Sequence, residues 1–182
     1  MVKTHPIACT KDEMNALIDA SIDNEFYYML FTVAKTTGRR LGEYYNVKVG
    51  DADLEKGVMM TQVLKRRKRI EKEAILTPEV ARLIRQYIKR NALKQTDYLF
   101  RKVSYRQIQN KIKTYAKDAG ITHNVSFHNF RHYFVTELYR KGWTYDQIAK
   151  LTGHSTPQTL VMYDHTVATD IKDKALNALR DI

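Results

Sequence analysis

The chain has 182 residues, of which 43% are hydrophobic, enough to build one domain around a real core. Its 31 Lys and Arg stand against 20 Asp and Glu, and the formal charge of +11 suits a polyanion such as nucleic acid, whose phosphates release counterions on binding. A single cysteine, Cys9, excludes an internal disulfide and supplies no cysteine cluster for zinc. No apolar run approaches the ~20 residues of a membrane span, and Met1-Val2-Lys3-Thr4-His5-Pro6 lacks a signal-peptide core, so a reducing cytoplasm is expected.

In chain order, Thr10-Lys11-Asp12-Glu13 reads as a capping box, and Met14, Leu17 and Ile18 follow at helical spacing, so a first helix begins there. The segment from Glu25 to Lys35, with Phe26, Tyr27, Met29, Leu30, Phe31 and Val33, predicts a buried second helix with Gly38 as its C-cap. A short third helix follows from Arg40. Between Val47 and Leu76 the pattern changes to two strands, 58–64 and 69–76, around a basic turn. Thr77-Pro78 then gives an N-cap and a first-turn proline for a helix through Val80, Leu83, Ile84 and Ile88. Further helices are predicted at about 104–118, 127–141, 144–152, 156–163 and 168–181. With no repeat, low-complexity tract or flexible linker, the expectation is a single domain over 1–182, mainly α with a small antiparallel β-sheet.

The chemistry concentrates in the C-terminal half. On a helix, His128 and Arg131 at i and i+3 face the same side and put an imidazole beside a guanidinium. The guanidinium is permanently charged and forks onto two phosphate oxygens, while the imidazole moves a proton near neutral pH. Such a pair suits a phosphate clamp. Leu151-Thr152-Gly153-His154 and then Val161-Met162-Tyr163 follow downstream.

This order, His-x-x-Arg, Leu-x-Gly-His and then Tyr, resembles the signature of the tyrosine recombinases of the phage-integrase type. Phe130 before Arg131, the run His132-Tyr133-Phe134-Val135-Thr136 and His165 after Tyr163 fit the same pattern. The resemblance implies the recombinase catalytic-domain fold. It also implies cleavage and rejoining of double-stranded DNA by Tyr163 through a 3′-phosphotyrosine link, with His154 set against the phosphate. It further implies an upstream Thr-Gly-x-Arg-x-x-Glu, and Thr37-Gly38-Arg39-Arg40-Leu41-Gly42-Glu43 supplies it, with Arg40 as phosphate ligand and Glu43 holding Arg40 or a neighbouring turn. Arg39 reads as a second backbone contact or, preferably, a solvated charge.

The remaining group the family implies is a lysine in a β-hairpin, and here the sequence offers two. Counting from Gly57 selects Lys65, which is preferred; counting back from Ile75-Leu76 falls nearer Lys68. The rest of the basic run follows the DNA backbone. In the expected reaction Arg40, Arg131 and His154 stabilise the charge of the pentavalent phosphorus, His128 accepts the Tyr163 proton, and Lys65 protonates the departing 5′ oxygen. The covalent link conserves the energy of the broken ester, so neither nucleotide cofactor nor metal is expected. The histidines lack a familiar zinc spacing and there is no phosphate-binding Gly-rich loop.

The resemblance spans roughly residues 10 to 165. It implies a homo-tetramer on synapsed DNA, to which the apolar side of 168–181 (Ile171, Ala175, Leu176, Ala178, Leu179) is suited, though packing on its own core fits as well. The family usually carries an N-terminal DNA-clamping domain ahead of this fold, so the chain is expected to be a fragment or a minimal enzyme that grips DNA less completely, the fragment being preferred. The nearest rival is a type IB topoisomerase, with the same chemistry but acting as a monomer. A non-catalytic DNA-binding regulator is the rival from another class, because 144–152 superficially resembles a helix-turn-helix.

Overall fold

Side-chain caps decide where most of the helices begin. In a computed structural model, which describes residues 8–65 and 68–153 with backbone alone at 63–65 and 68–70, the Thr10 hydroxyl accepts the Glu13 N–H and the Glu13 carboxylate accepts the Thr10 N–H, opening α1 (Lys11–Asp19). Asn24 caps α2 (Glu25–Thr37), Thr77 with Pro78 opens α4 (Pro78–Arg90), Ser104 with Gln107 opens α5 (Tyr105–Asp118), and Thr144 with Gln147 opens α7 (Tyr145–Thr152). The one-turn helix α3 (Leu41–Tyr44) and the longer α6 (His128–Arg140) complete the described α-helices, and a 3-10 turn spans Val49–Asp51. None of these is long and apolar enough to cross a membrane.

Two units divide the chain, Met1–Tyr133 and Phe134–Ile182. In the first, Met29, Leu30, Phe31, Val33 and Ala34 of α2 have no exposed surface. Only a narrow stripe of Glu25, Tyr28, Thr32, Lys35 and Thr36 is even partly exposed, which is the pattern of a helix largely enclosed by its surroundings. Around it pack Met14 and Leu17 of α1, Ile84 of α4, Ile108 and Ile112 of α5, and Phe130 of α6. Aromatic contacts tie the last of these in: Phe31 stacks on Phe130 at 5.3 Å between centroids, and Phe127 meets Tyr44 edge-on at 5.7 Å.

The sheet is antiparallel in the order β1-β2-β3, with β1 (Ala52–Asp53), β2 (Val58–Lys65) and β3 (Lys68–Ile75). The two longer strands match the prediction to within a residue or two. The two-residue β1 was not foreseen, being too short to show an alternating pattern. On β2 the buried positions are Met59 and Thr61, and Ala74 is buried opposite Met59, so one face of the hairpin joins the core.

In the second unit, Val135 of α6 and Ile148 of α7 are buried among Leu138, Tyr139, Tyr145 and Ala149. The helices predicted at 156–163 and 168–181 lie outside the described residues.

Gly57 starts the hairpin in the left-handed region (φ 66°), and a Cβ there would sit 2.9 Å from the Leu76 carbonyl oxygen. Its own carbonyl accepts the Leu76 N–H at 2.7 Å, so the two chains cannot separate without losing that bond. Gly57→Ala is therefore expected to lower the free energy of unfolding by about 1–3 kcal/mol. Gly42→Ala, in open space on α3, should change it by less than about 0.5 kcal/mol. Urea unfolding of the two variants checks both.

Candidate active site

The turn between α2 and α3 places two arginines. Gly38 ends α2 as a left-handed C-cap (φ 60°), a conformation that suits glycine. Its carbonyl accepts a 3.0 Å hydrogen bond from Nη1 of Arg131, 93 residues away and fully buried. The Tyr44 hydroxyl accepts the Arg39 N–H at 3.0 Å and is hydrogen-bonded to Thr37 Oγ1, which locks the turn from the core side. Burial holds the Tyr44 phenol well above its usual range, so it stays protonated.

Arg40 stands at the N-cap position of α3 with its side chain about half exposed. Glu43 grips it at both ends: one carboxylate oxygen accepts the Arg40 N–H at 3.2 Å, and the other lies 3.1 Å from Nη1. The holding task expected of Glu43 is what the structure shows. Arg39 corrects the sequence reading. Its preferred solvated position is ruled out, since the residue is 1% exposed. Its Nη2 donates to the Glu73 carbonyl of β3, while Nε and Nη1 find no hydrogen-bond acceptor among the described residues.

At the start of α6, Phe127 and Phe130 turn into the core and leave His128 and Arg131 on a shared flank. Arg39, Arg40, His128 and Arg131 then line one recess of about 180 Å³, together with Tyr105 and Gln109 of α5. Three guanidiniums and an imidazole against one carboxylate, that of Glu43, the only buried one among the described residues, make this a strongly electropositive hollow, suited to an anion with several oxygens. The sequence reading missed Tyr105 and Gln109. They sit one turn apart on a helix whose polar face carries no distinguishing pattern. Lys65 and Lys68 pair with each other at the end of the β2–β3 hairpin, so both lysine candidates occupy its tip. His154 and Tyr163 lie outside the described residues. No set of three metal-ligating side chains lines the recess among the described residues.

Desolvation, and then the charges of Arg131 and Arg40, hold the His128 imidazole below its usual pKa, so at neutral pH it is unprotonated and able to accept a proton. His132, edge-on to His128 at 4.7 Å, is buried and pushed down to about 4 by desolvation, His128 and Arg131. In the unfolded chain a histidine titrates near 6.5. The unfolded state therefore binds the extra proton first as pH falls, and the stability due to neutral His132 is present above about 6.5 and lost progressively towards about 4. The unfolding free energy should drop by about 2 kcal/mol from this group between pH 7 and pH 5. His132→Asn should show a visibly shallower fall in urea titrations at the two pH values. An unchanged slope in the variant would refute the assignment.

Comparison with known proteins gives the same direction. The tyrosine recombinase XerA of Saccharolobus solfataricus is 33% identical over 143 residues, covering 79% of this chain and 47% of that protein. XerA of Pyrococcus furiosus is 27% identical over 180 residues, covering 94% and 61%. The chain thus spans roughly half to three-fifths of these curated relatives. A crystal structure of XerA recombinase matches with a TM-score of 0.80 at 27% identity, over 96% of this chain and 65% of that one. A lambda integrase tetramer bound to a Holliday junction shares the fold at a TM-score of 0.69 and 16% identity, over 90% and 49%. Residues 8–169 match the phage integrase family, so the chain belongs to that family.

Proposed function

We propose that this chain is the catalytic part of a site-specific recombinase that cleaves and rejoins double-stranded DNA through a 3′-phosphotyrosine intermediate. The observation that carries the reading is the recess in which Arg40, Arg131 and a neutral His128 meet. Tyr163 attacks phosphorus and its proton passes to His128, whose low basicity at rest leaves it free to take it. Arg40, Arg131 and His154 meet the negative charge that grows on the non-bridging oxygens, and they do so without reorganising, since Arg131 is already fixed on Gly38 and Arg40 on Glu43. Lys65 at the hairpin tip gives its proton to the leaving 5′ oxygen. A 5′ hydroxyl of another strand then reverses the step and reseals the DNA. Membership of the phage integrase family supports this reading, as do the names of the similar proteins.

The assembly follows from the same reading. Strand exchange between two duplexes needs four cleavages, and the lambda integrase relative of the same fold is a tetramer on a Holliday junction. We carry that assembly over to this chain, acting on cytoplasmic DNA with any DNA-clamping domain supplied from outside these residues.

Incubation with a nicked suicide duplex, carrying a site selected by binding from a randomised pool, should give a covalent protein–DNA band on a denaturing gel. Tyr163→Phe should abolish it, and a band persisting in that variant would remove Tyr163 as nucleophile. Arg40→Ala and Arg131→Ala should each slow its formation by about 10²–10³-fold.

The two lysines are separable by leaving group. Lys65→Ala should slow cleavage by about 10²-fold or more, and a substrate whose bridging 5′ oxygen is replaced by sulfur, which leaves without a proton, should restore most of the rate. Lys68→Ala should respond to neither change. The opposite pattern would transfer the role to Lys68.

A further inference from the structure

Away from the recess, three side chains of different chemistry converge where the start of α1 meets the segment between α5 and α6. The Cys9 sulfur, a Glu13 carboxylate oxygen and a His123 ring nitrogen all lie within 4.8 Å of one another. From this geometry we infer that Cys9, Glu13 and His123 form a binding site for a divalent zinc ion, with water as the fourth ligand. The inference stands apart from the proposed DNA chemistry and does not depend on it.

The distances suit a tetrahedral ion. With metal–nitrogen and metal–oxygen bonds of ~2.05 Å, the edge between two such ligands is about 3.3 Å, and an edge to sulfur is about 3.6 Å. His123 Nε2 and Glu13 Oε1 are already 3.3 Å apart. The widest separation needs to close by only about 1 Å.

Each ligand is also held in a way that leaves the metal-facing atom available. Glu13 uses Oε2 to accept the Thr10 N–H at 2.8 Å, which leaves Oε1 for the ion. Both ring nitrogens of His123 are buried; Nε2 lies within ion-pair distance of Glu13 Oε1, a contact an ion would bridge, and Nδ1 has no hydrogen-bond partner among the described residues. Cys9 is 4% exposed, with the carboxylate of Glu13 close to its sulfur. Asn129 supplies the outer contact. Its Oδ1 accepts both the N–H and the hydroxyl of Ser126, at 2.9 and 3.2 Å, so its amide group is turned the other way, onto the Cys9 sulfur. Burial, and then the Glu13 carboxylate, push the Cys9 thiol up to about 11, an effect the Asn129 amide offsets only in part, so a bound ion displaces the thiol proton.

The mixed sulfur, nitrogen and oxygen set suits Zn²⁺, which accepts all three, better than the oxygen-seeking Mg²⁺ or Ca²⁺. Bound there, the ion would join the start of α1 to the approach to α6, the helix that carries His128 and Arg131.

The test is a titration of the reduced, metal-free chain with Co²⁺, which replaces Zn²⁺ and reports on its ligands. Because Cys9 is the only cysteine, a thiolate-to-cobalt charge-transfer band has one possible source. One equivalent should give that band with the visible absorption of a tetrahedral ion, and Zn²⁺ should displace both. Cys9→Ser should abolish the band. Glu13→Gln and His123→Asn should weaken Co²⁺ affinity by about tenfold or more, and Glu13→Gln retains an oxygen for the helix cap. If Cys9→Ser loses its far-ultraviolet circular dichroism, the His123→Asn titration decides. A wild type without the charge-transfer band, or an affinity unaltered by His123→Asn, would overturn the site.

Discussion

The recess depends on one buried hydrogen bond, from the guanidinium of Arg131 to the carbonyl of Gly38. A charge without exposed surface is tolerable only where its donors are met. The carbonyl that meets this one is turned out at a helix C-terminus, where carbonyls lack intrahelical partners and the helix dipole is negative. Gly38 makes that possible by adopting a left-handed conformation that a side chain would strain. The same bond joins two segments 93 residues apart and so brings the arginine of α6 to the arginines that follow α2. Phe127 and Phe130 reinforce it by anchoring the first turn of α6 against Tyr44 and Phe31.

Bringing three guanidiniums together costs stability unless an anion arrives. Glu43 offsets part of the repulsion, but its carboxylate is committed to Arg40. Arg39 shows the tension most plainly: it is as buried as the surrounding aromatics, one of its guanidinium nitrogens is satisfied by β3, and the other two find no acceptor among the described residues. Desolvation works against its charge, while the Glu43 carboxylate favours it. A hollow of this kind is preorganised for negative charge, and its positive groups need not move when that charge develops. The apolar packing around α2 is what sustains it.

Much of this was legible because the signals were local. The capping box at Thr10–Glu13, the Thr77-Pro78 start and the Gly38 stop each involve residues within a few positions, and each lies where the sequence placed it. His128 and Arg131 share a flank because helical spacing requires it. Arg39 was misread for the opposite reason. Beside Arg40 in the sequence it has the same composition and charge, and only the path of the chain past β3 decides that one guanidinium is enclosed and the other open. Tyr105 and Gln109 were invisible because nothing in a polar helix face says what will lie across from it. The convergence of Cys9 and Glu13 with His123 was equally hidden. A search for closely spaced ligands cannot find a set whose third member is more than a hundred residues from the other two.

The two readings of the polar groups in the first unit meet at α6. One side of its first turn carries His128 and Arg131 into the recess, and Asn129, between them, turns instead to Ser126 and the Cys9 sulfur. Consecutive residues on a helix point about 100° apart, so a single turn serves both places without conflict. The position of the clamp is then set from three directions: by Gly38 through Arg131, by the aromatic core through Phe127 and Phe130, and by the start of α1 through Asn129. Three non-parallel restraints on one short segment are enough to fix its orientation. That rigidity is what electrostatic stabilisation of a transition state demands of the groups that provide it.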